Sequence, residues 1–532
     1  MLSSPTIKHT PCSRPEGNSE KHGRPRCWSA PFIRRSGQRH ASRCTLNPRS
    51  PLCPAALGFG GLPGAAVLGI LLIFPVAAAA AGRMNFVIIM VDDMGYGDAG
   101  CFGGTEFPTP NIDRLASEGM KLTDFHSSGC VCSPTRAGLL TGRYQQRAGI
   151  PGVVYAAFNR NRHHGLQLRE TTFAEALGDA GYVTAAFGKW HLGYDEQYNP
   201  IHHGFDRYVG YVSGNVDFHT HIDGAGVFDW WHQNRHTKEV GYTTHLITKY
   251  ACDFIARKHD EPFCVYIAHE APHDPYQGPH DEPVRREGES KLIYNHREPK
   301  HAKRAYAEMM SEMDKGIGEV LNVLQKTGVD DETFVMFFSD NGATGPGSCG
   351  DLYGMKGTLW EGGHRVPAIA RCPGTIRANS VSEQLAFTID VLPTLLDFAE
   401  VSLHGLPEPD GQSLVPLLTR NGRFTRRQLF WQYGDALSMR DGKWKLIING
   451  GKRLKQKTSA LPNIDWDRPE DNRHEIALFD MAVDRSECHN LVDRFPNRVA
   501  EMKQAIVQWQ QDVTTNATQQ PEKSELRDDE CR

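Results

Sequence analysis

Short runs of β-branched and aromatic residues alternate with segments of helical periodicity from about residue 84 to residue 400. This alternation is typical of α/β proteins, in which helices cover a largely parallel sheet. The pattern predicts strands at 86–91, 182–187, 263–268, 333–339 and 366–371, and helices at 111–118, 173–178, 303–325 and 390–399. Each predicted strand ends in a polar or glycine-rich motif. Since ligands bind beyond the carboxyl ends of strands in open α/β sheets, we expect these motifs to converge in space.

The pattern changes after residue 400. Strand-like runs follow one another at 428–433, 436–440 and 444–448, and a final helix is predicted at 498–513. This pattern favours a smaller C-terminal α+β domain with an antiparallel sheet over residues 401–513. The remaining residues, 514–532, are polar and are expected to form a disordered tail.

The first 82 residues differ from the rest of the chain. Residues 1–60 contain ten basic and two acidic residues without hydrophobic periodicity, so we expect a disordered leader. Residues 61–82 contain an apolar run followed by small residues, which is typical of a secretory signal. The alternative is a membrane anchor, since about 18 apolar and small residues are borderline for spanning a bilayer. Because the first strand starts almost at once, at Phe86, we favour cleavage and export to a periplasmic, extracellular or lumenal compartment. Membrane attachment is expected only if the segment is retained.

Composition narrows the classes of function. Hydrophobic residues make up 39% of the chain and charged residues 23%, near the average for globular proteins. The 59 Lys and Arg residues against 63 Asp and Glu residues give a net charge of −4, so no overall field favours nucleic acid as a partner. The sequence has no Cys-x-x-Cys motif and no Cys/His zinc spacing, which argues against a cysteine-based metal site.

Two acidic motifs follow predicted strands. Asp92 and Asp93 end the first strand, and the glycines after them break it into a loop, so that two consecutive carboxylates can face one ligand. Asp340 and Asn341 end another strand in the same way. Three carboxylates and one amide are hard oxygen ligands, which suit Ca²⁺ or Mg²⁺ better than zinc. Taken singly, each motif also fits a turn or a helix cap.

A third motif surrounds Cys132. The sequence Cys-Ser-Pro-Thr-Arg from Cys132 to Arg136 is followed by Ala-Gly-Leu-Leu-Thr-Gly-Arg. Pro134 in the first turn and Gly142 as the stop predict a short helix that begins just after Cys132. A helix amino terminus attracts an oxyanion, and Arg136 adds a positive charge. From these features alone, Cys132 is either a thiolate nucleophile or a buried inert cysteine.

The pentapeptide resembles the Cys-x-Pro-Ser/Thr-Arg motif of the type I sulfatases. The motifs from Val91 to Asp98, Gly188 to Gly193, Phe338 to Gly342 and Lys356 to Gly363 also resemble that family, in the family's order. The resemblance covers the chain from about residue 84 to residue 513, and it is greatest to arylsulfatases and N-acetylgalactosamine-6-sulfatases. It implies an alkaline-phosphatase-like fold, with the catalytic domain at 84–400. It also implies sulfate ester hydrolysis and a cysteine oxidised to formylglycine (3-oxoalanine) by a formylglycine-generating enzyme.

The resemblance assigns roles to individual residues. A divalent cation, Ca²⁺ or alternatively Mg²⁺, would be held by Asp92, Asp93, Asp340 and Asn341 and would contact the formylglycine hydrate derived from Cys132. The other implied roles are Arg136 as part of the catalytic pocket, Lys189 and Lys356 as ligands of the sulfate oxygens, His191 as an aid to the hydrate, His273 as the proton donor to the leaving alkoxide, and Ser213 as a residue near the substrate. Histidine suits both proton roles because its pKa lies near neutrality.

Two rival functions remain open from the sequence. A phosphate or phosphonate ester hydrolase is the rival within enzymes, and a non-catalytic protein that binds sulfated glycans is expected if Cys132 stays unmodified. Among sulfate esters, we expect sulfated carbohydrates and also aryl sulfates as substrates. Residues expected to contribute to sugar recognition are Asp217, His219, His221, Trp230, Trp231 and the loop 345–353, although the two histidines also fit an ordinary loop and the two tryptophans also fit the core.

Overall fold

The computed structural model describes residues 83–522, except Lys258 and the segments 421–423, 426–427 and 451–474. The expected leader at 1–60 and the apolar segment at 61–82 lie outside the described residues, as do residues 523–532. Among the described helices, none combines the length and the apolar character needed to span a bilayer.

A ten-stranded mixed sheet forms the centre of the molecule. In chain order its strands are β1 (Asn85–Val91), β2 (Met120–Leu122), β4 (Val183–Lys189), β5 (Arg207–Tyr211), β6 (Trp231–His232), β7 (Arg235–His236), β8 (Phe263–Ala268), β9 (Thr333–Ser339), β10 (Ala368–Arg371) and β11 (Ser380–Ser382). Their spatial order is β11-β2-β10-β9-β1-β8-β4-β5-β6-β7. The central pairs β9-β1, β1-β8, β8-β4 and β4-β5 are parallel, whereas β10 runs antiparallel to β9. A separate short parallel pair is formed by β3 (Phe125–His126) and β12 (Ala386–Phe387). The predicted α/β class with a mostly parallel sheet is therefore confirmed.

Helices cover both faces of this sheet. In chain order they are α1 (Pro110–Glu118), α2 (Cys132–Thr141), α3 (Phe173–Asp179), α4 (Thr243–Ile255), α5 (Pro299–Thr327), α6 (Glu361–His364), α7 (Val391–Phe398) and α8 (Val415–Arg420). Alternate side chains of β1 point to opposite faces. Phe86 and Ile88 pack in one core with residues of α2, α3 and α7, and Val87 and Ile89 pack in the other with residues of α1, α4 and α5. Burial on both faces explains why the central strands are continuous apolar runs.

The C-terminal region forms a second sheet. Its strands are β13 (Leu429–Tyr433), β14 (Ala436–Asp441), β15 (Trp444–Ile448) and β16 (Ile476–Asp480), paired antiparallel in that order, and the last helix is α9 (Pro496–Thr514). Met502, Ile506 and Trp509 of α9 are buried against this sheet. The predicted antiparallel C-terminal sheet is confirmed. The indole N–H of Trp431 donates to the carbonyl of Ser127 (2.8 Å), which joins β13 to the segment before α2.

Several parts of the chain depart from the expectations, and the short strands β2, β3, β5, β6, β7, β11 and β12 were not predicted. Helix α4 was not predicted, because its threonines have low helix propensity and the helix is stabilised by packing against α5 and against strands β4, β5 and β8. Strand β16 was not predicted either. The start of the expected disordered tail is ordered instead: Thr518 is buried, its N–H donates to the carbonyl of Arg147 (2.9 Å), and its hydroxyl contacts Glu170.

Candidate active site

Several polar residues meet at the carboxyl edge of the central sheet. They are Asp92 and Asp93 after β1, Lys189 at the end of β4, and Asp340 and Asn341 after β9. β1 and β9 stay in parallel register up to Val91 and Ser339, so both acidic motifs leave the sheet at the same level. Asp93 has a φ of 67°, in the left-handed region, which turns the chain out of the strand. The turn allows two consecutive aspartates to face one pocket.

Cys132 is the first residue of α2, and Gly142, which directly follows the helix, has the left-handed conformation. Its Sγ lies 3.3 Å from Asp92 Oδ1 and 3.3 Å from Lys356 Nζ. The side chain is almost completely buried. Burial and the carboxylates of Asp340 and Asp92 raise the pKa of the Cys132 thiol far above its usual value. This shift of the pKa disfavours the thiolate form of an unmodified Cys132.

Two buried oxygens in this pocket have no hydrogen-bond partner. Asp93 Oδ1 accepts from Asn341 Nδ2 (2.7 Å), but Asp93 Oδ2 and Asn341 Oδ1 remain unsatisfied among the described residues. Burial and the neighbouring carboxylate of Asp92 raise the pKa of Asp340 to about 7. Unsatisfied buried oxygens and crowded carboxylates fit a hard divalent cation, which would pair with both. Asp92, Asp93, Cys132 and His273 each offer a ligand atom, and these four atoms lie within 4.8 Å of one another.

Arg136 holds the carboxylates of Asp92 and Asp340 in position. Its guanidinium donates to Asp340 Oδ2 (3.1 Å) and to the carbonyl oxygen of Lys189 (2.9 Å). It also lies 3.7 Å from Asp92 Oδ2. Arg136 is completely buried within α2 and joins this helix to the ends of β1, β4 and β9. A planar fork with several fixed donors is suited to this positioning.

Two lysines supply further positive charge. Lys189 Nζ contacts Asp92 Oδ2, and Lys356 Nζ lies 2.5 Å from Asp93 Oδ1. Burial alone would raise the pKa of Asp92, but the ammonium of Lys189, with His273 and Arg136, holds it well below its usual value. The Lys356 side chain is 16% exposed, whereas Lys189 is fully enclosed. Lys356 therefore lies at the open side of the pocket.

The two histidines occupy different positions. His191 has a φ of 59°, its Nε2 lies 2.9 Å from the carbonyl oxygen of Val154, and its Nδ1 has no partner among the described residues. His273 lies at the open side, with Nε2 3.6 Å from Asp93 Oδ2. Burial and the ammonium of Lys356 lower the pKa of His273. Burial and the ammonium of Lys189 lower the pKa of His191 well below its usual value, so the two shifts have the same direction.

Sequence reasoning did not identify the residues behind His273. Asp274 Oδ1 lies 3.5 Å from His273 Nδ1, and Arg297 contacts the other oxygen of the same carboxylate. The position of Asp274 directly after His273 is a local signal that could have indicated it. Arg297 belongs to a distant segment, so its approach depends on the tertiary fold.

The Ser213 hydroxyl group makes its hydrogen bond outside the pocket around Cys132. The hydroxyl donates to the carbonyl of Asn215 (3.0 Å), and the backbone N–H donates to Asp229 (2.8 Å). The neighbouring Gly214 is close to the His191 ring, since a Cβ at this position would approach His191 Nε2 to 2.7 Å. Ser213 therefore lies beside the pocket as part of its wall.

Most residues expected to contact a sugar are engaged elsewhere. Trp230 is completely buried and stacks on His221, and His221 Nε2 contacts the carbonyl of Gly241 (3.2 Å). Asp217 accepts from backbone N–H groups of the segment 284–285, and His219 Nε2 contacts the carbonyl of Gly278. These side chains stabilise a loop, and the expectation that they recognise sugar is not supported by their contacts.

The site combines a buried cysteine at a helix amino terminus with acidic oxygens and three cationic side chains, which is an arrangement suited to an oxyanion ester. Comparison with known proteins gives the family. The sulfatase family model matches residues 84–401, and a model of the C-terminal region of N-sulphoglucosamine sulphohydrolase matches residues 353–512. The chain belongs to the sulfatase family and is a sulfuric ester hydrolase.

Individual relatives agree with this assignment. The chain is 32% identical to arylsulfatase A of Bos taurus over 470 residues, which cover 81% of this chain and 87% of the relative. It is 36% identical to N-acetylgalactosamine-6-sulfatase of Mus musculus over 396 residues, covering 68% and 71%. The crystal structure of Ps i-CgsB in complex with k-i-k-neocarrahexaose has the same fold, with a TM-score of 0.69, 24% identity, and coverage of 83% of this chain and 96% of the other.

Proposed function

We propose that this sulfatase hydrolyses sulfate monoesters through a formylglycine hydrate at position 132, after oxidation of Cys132 by a formylglycine-generating enzyme. The observation that supports this most directly is the environment of Cys132. Its Sγ lies 3.3 Å from both Asp92 Oδ1 and Lys356 Nζ, and the raised pKa of the thiol argues against an ordinary thiolate nucleophile. A hydrate has two hydroxyl groups on one carbon, which an unmodified cysteine or serine lacks.

The donor set fits one divalent cation, and we propose Ca²⁺, with Mg²⁺ as the alternative. The proposed ligands are Asp92, Asp93, Asp340, Asn341 and the hydrate at position 132. Support comes from the unsatisfied Asp93 Oδ2 and Asn341 Oδ1 and from the oxygen-only protein ligands. When bound, such an ion acts as a Lewis acid and orients the sulfate group.

Each of the residues around position 132 has a separate role in the proposed reaction. One hydroxyl group of the hydrate passes its proton to a neighbouring carboxylate, such as Asp92, whose Oδ1 lies 3.3 Å from Cys132 Sγ. Its oxygen forms a bond to sulfur while the ester S–O bond breaks, and His273 donates a proton to the leaving alkoxide. The second hydroxyl loses its proton, with assistance from His191, and the carbonyl group re-forms as sulfate leaves. Water adds to the aldehyde to restore the hydrate. Lys189 and Lys356 stabilise the negative charge on the sulfate oxygens, and each such group contributes a few kcal/mol.

Mass spectrometry of the peptide around Cys132 tests the modification. Protein purified from its native host is digested, and the peptide is expected to contain an aldehyde in place of the thiol. A hydrazide reagent should label that peptide in the native protein and fail to label it in Cys132→Ala. A fully active enzyme with an unmodified Cys132 thiol would contradict the proposal, and an unmodified inactive protein would favour a non-catalytic sulfated-glycan binding protein.

A phosphate or phosphonate ester hydrolase is the rival reaction. Bimetallic phosphatases need more acidic and histidine ligands than the four oxygen ligands proposed here and His273, and the other charged groups near Cys132 are two lysines and an arginine. A sulfate ester carries a single negative charge, which one divalent cation and two lysines can bind. We expect kcat/KM for 4-nitrophenyl sulfate to exceed that for 4-nitrophenyl phosphate by at least about tenfold. The opposite preference would assign the chain to the rival.

The proposed substrates are sulfated carbohydrates, together with small aryl sulfates. The names of the relatives, arylsulfatase A and N-acetylgalactosamine-6-sulfatase, support this range, and the second favours 6-sulfated N-acetylgalactosamine. We propose 6-sulfated galactose as the alternative sugar. The proposed location is an exported compartment, where sulfated polysaccharides are available. Release of inorganic sulfate from a panel of sulfated oligosaccharides tests the assignment, and activity on aryl sulfates alone would restrict it to small molecules.

A further inference from the structure

A short basic segment lies next to the pocket and has no part in the proposed mechanism. Residues 155–164, which we call the basic loop, contain Arg160, Arg162, His163 and His164. No Asp or Glu occurs between residues 151 and 168. Phe158 within the loop is 54% exposed. The loop therefore presents positive charge and an aromatic ring to solvent without a carboxylate of its own.

The basic loop begins directly at the pocket. Val154, the residue before it, donates its N–H to Ser133 Oγ (3.1 Å), and its carbonyl oxygen lies 2.9 Å from His191 Nε2. Ser133 follows Cys132 in α2. Since consecutive Cα atoms are about 3.8 Å apart, Tyr155 lies one residue from two contacts with the pocket.

Side chains of the loop hold it in one shape. Asn161 Oδ1 accepts from the N–H of Tyr155 (3.2 Å), and Asn161 Nδ2 donates to the carbonyl of Val153 (2.9 Å). Arg162 donates to the carbonyl of Ala156 (2.7 Å) and packs on the ring of Tyr194 at 4.2 Å. These contacts fix the loop relative to the pocket, so little ordering is required when a ligand binds.

Arg160 differs from the other arginines near it. The neighbouring pairs are Arg143 with Glu170, Arg147 with Asp410, and Arg162 with Asp223. Arg160 has no carboxylate within salt-bridge distance in the part of the chain that the structure describes, and it is exposed. Its guanidinium lies 3.4 Å from the centroid of the Tyr155 ring. The ring holds the guanidinium in place while its N–H groups stay accessible to an anion.

We propose that the basic loop binds a second sulfate group of a polysulfated glycan whose first sulfate is hydrolysed at position 132. This inference rests on the proposed sulfatase function. Arg160 makes the main contact, because a guanidinium can donate two parallel hydrogen bonds to sulfate oxygens. Substrates with several sulfates therefore bind more tightly than monosulfated ones, and the loop selects polymers over small aryl sulfates.

Competition kinetics test the role of Arg160. The assay follows hydrolysis of 4-nitrophenyl sulfate, with dextran sulfate as a polysulfated competitor and inorganic sulfate as a single-group competitor. For Arg160→Glu, we expect the inhibition constant of dextran sulfate to rise by about tenfold or more, the effect of losing a charge-assisted contact. The inhibition constant of inorganic sulfate and the kcat/KM for 4-nitrophenyl sulfate should stay within about twofold of wild type. Arg207→Glu is the matched control, since Arg207 is exposed at the amino end of β5, whereas the pocket lies at the carboxyl ends of the central strands.

Several outcomes would overturn the inference. These are an unchanged inhibition constant for dextran sulfate in Arg160→Glu, an equal rise in Arg207→Glu, or a parallel rise for inorganic sulfate. Failure of the proposed function is a separate result, since it would appear as absent hydrolysis of 4-nitrophenyl sulfate by the wild-type enzyme. In that case, calorimetric titration of wild type, Arg160→Glu and Arg207→Glu with dextran sulfate still decides whether the basic loop binds it.

Discussion

The pocket around Cys132 and a second cluster beneath the C-terminal sheet are both buried and rich in charge. The second, which we call the junction cluster, contains His126, Glu361, His364, Lys445 and Glu487. Each region brings together at least three residues of the types that hold metal ions. The two regions differ in whether their buried polar atoms have hydrogen-bond partners. A site for a ligand leaves some of these atoms without partners, whereas a structural network does not.

The junction cluster satisfies its metal-capable groups internally. Glu361 accepts from Lys445 (2.8 Å) and Arg365 (3.1 Å), and the His126 Nδ1 and His364 Nδ1 atoms lie 3.0 Å apart. Lys445 also lies 2.7 Å from Glu487. The contacts join α6 to strand β15 and to the segment around β16. The ammonium group of Lys445 already lies between the carboxylates of this cluster, so a divalent metal ion would have to displace it.

The pocket around Cys132 has the opposite character. Asp93 Oδ2, Asn341 Oδ1 and His191 Nδ1 lack partners among the described residues, and Asp93 and His191 both have positive φ. Unsatisfied buried groups and strained backbone persist only where the surrounding structure holds them, and they concentrate at functional sites. Unsatisfied buried polar atoms, rather than charge or burial, therefore distinguish the pocket around Cys132 from the junction cluster.

Removing the side chain of Cys132 has the largest expected effect. We expect Cys132→Ala to lower kcat for 4-nitrophenyl sulfate by more than about 10⁴-fold, because the proposed nucleophile is lost. Its free energy of unfolding should change by only about 1 kcal/mol. Cys264→Ala is the matched control, since Cys264 is equally buried but lies within β8. Retained activity in Cys132→Ala, or a comparable loss in Cys264→Ala, would remove Cys132 from the nucleophile position.

Replacing His273 separates proton donation from binding. Sugar alkoxides are poor leaving groups that require a proton, whereas nitrophenolate leaves without one. We therefore expect His273→Ala to lower kcat for a sugar sulfate by about 10²-fold or more and kcat for 4-nitrophenyl sulfate much less. Steady-state kinetics on both substrates measure the difference. Equal losses on the two substrates would assign His273 to binding.

Calcium binding should distinguish the two clusters directly. At 100 times its Kd, Ca²⁺ is expected to stabilise the wild-type protein by about 2.7 kcal/mol, measured by chemical unfolding after treatment with a chelator. Asp93→Asn should abolish this stabilisation. Glu361→Gln should keep it, although the variant itself loses about 3 kcal/mol because the charge of Lys445 is less well compensated. A calcium response lost in Glu361→Gln and kept in Asp93→Asn would reverse the roles of the two clusters.

The difference between the clusters also marks how far the sequence could predict the structure. Hydrophobic alternation is a local property, so the strands that carry Asp92 and Asp340 were predicted within a few residues. The pairing of Glu361 with Lys445 joins segments far apart in the chain, and no local pattern indicates it. The same limit applies to Ser213, whose place near the site was expected from resemblance but whose hydroxyl bonds to the nearby backbone. Side-chain direction depends on tertiary contacts.

The pH dependence of stability gives the smallest and most specific test of the junction cluster. Burial and the carboxylate of Glu361 raise the pKa of Glu487 from its usual value near 4.5 to about 7. Between these two values the folded protein binds a proton at Glu487 that the unfolded chain has released. The contribution of Glu487 to stability is therefore complete below about pH 4.5 and is lost as the pH rises through about 7. Glu361 adds no pH dependence of stability in this range, since Lys445 and nearby groups hold the pKa of Glu361 well below its usual value.

Glu487→Gln should isolate this contribution, because glutamine mimics the protonated carboxyl group and does not titrate. We expect Tm of the wild-type protein to fall relative to that of Glu487→Gln by a few degrees between pH 5 and pH 8. Thermal unfolding at several pH values, with Glu501→Gln on the exposed face of α9 as control, measures the difference. Parallel curves for wild type and Glu487→Gln would show that Glu487 is ionised in the folded protein throughout this range, and that the junction cluster holds two carboxylate charges against Lys445.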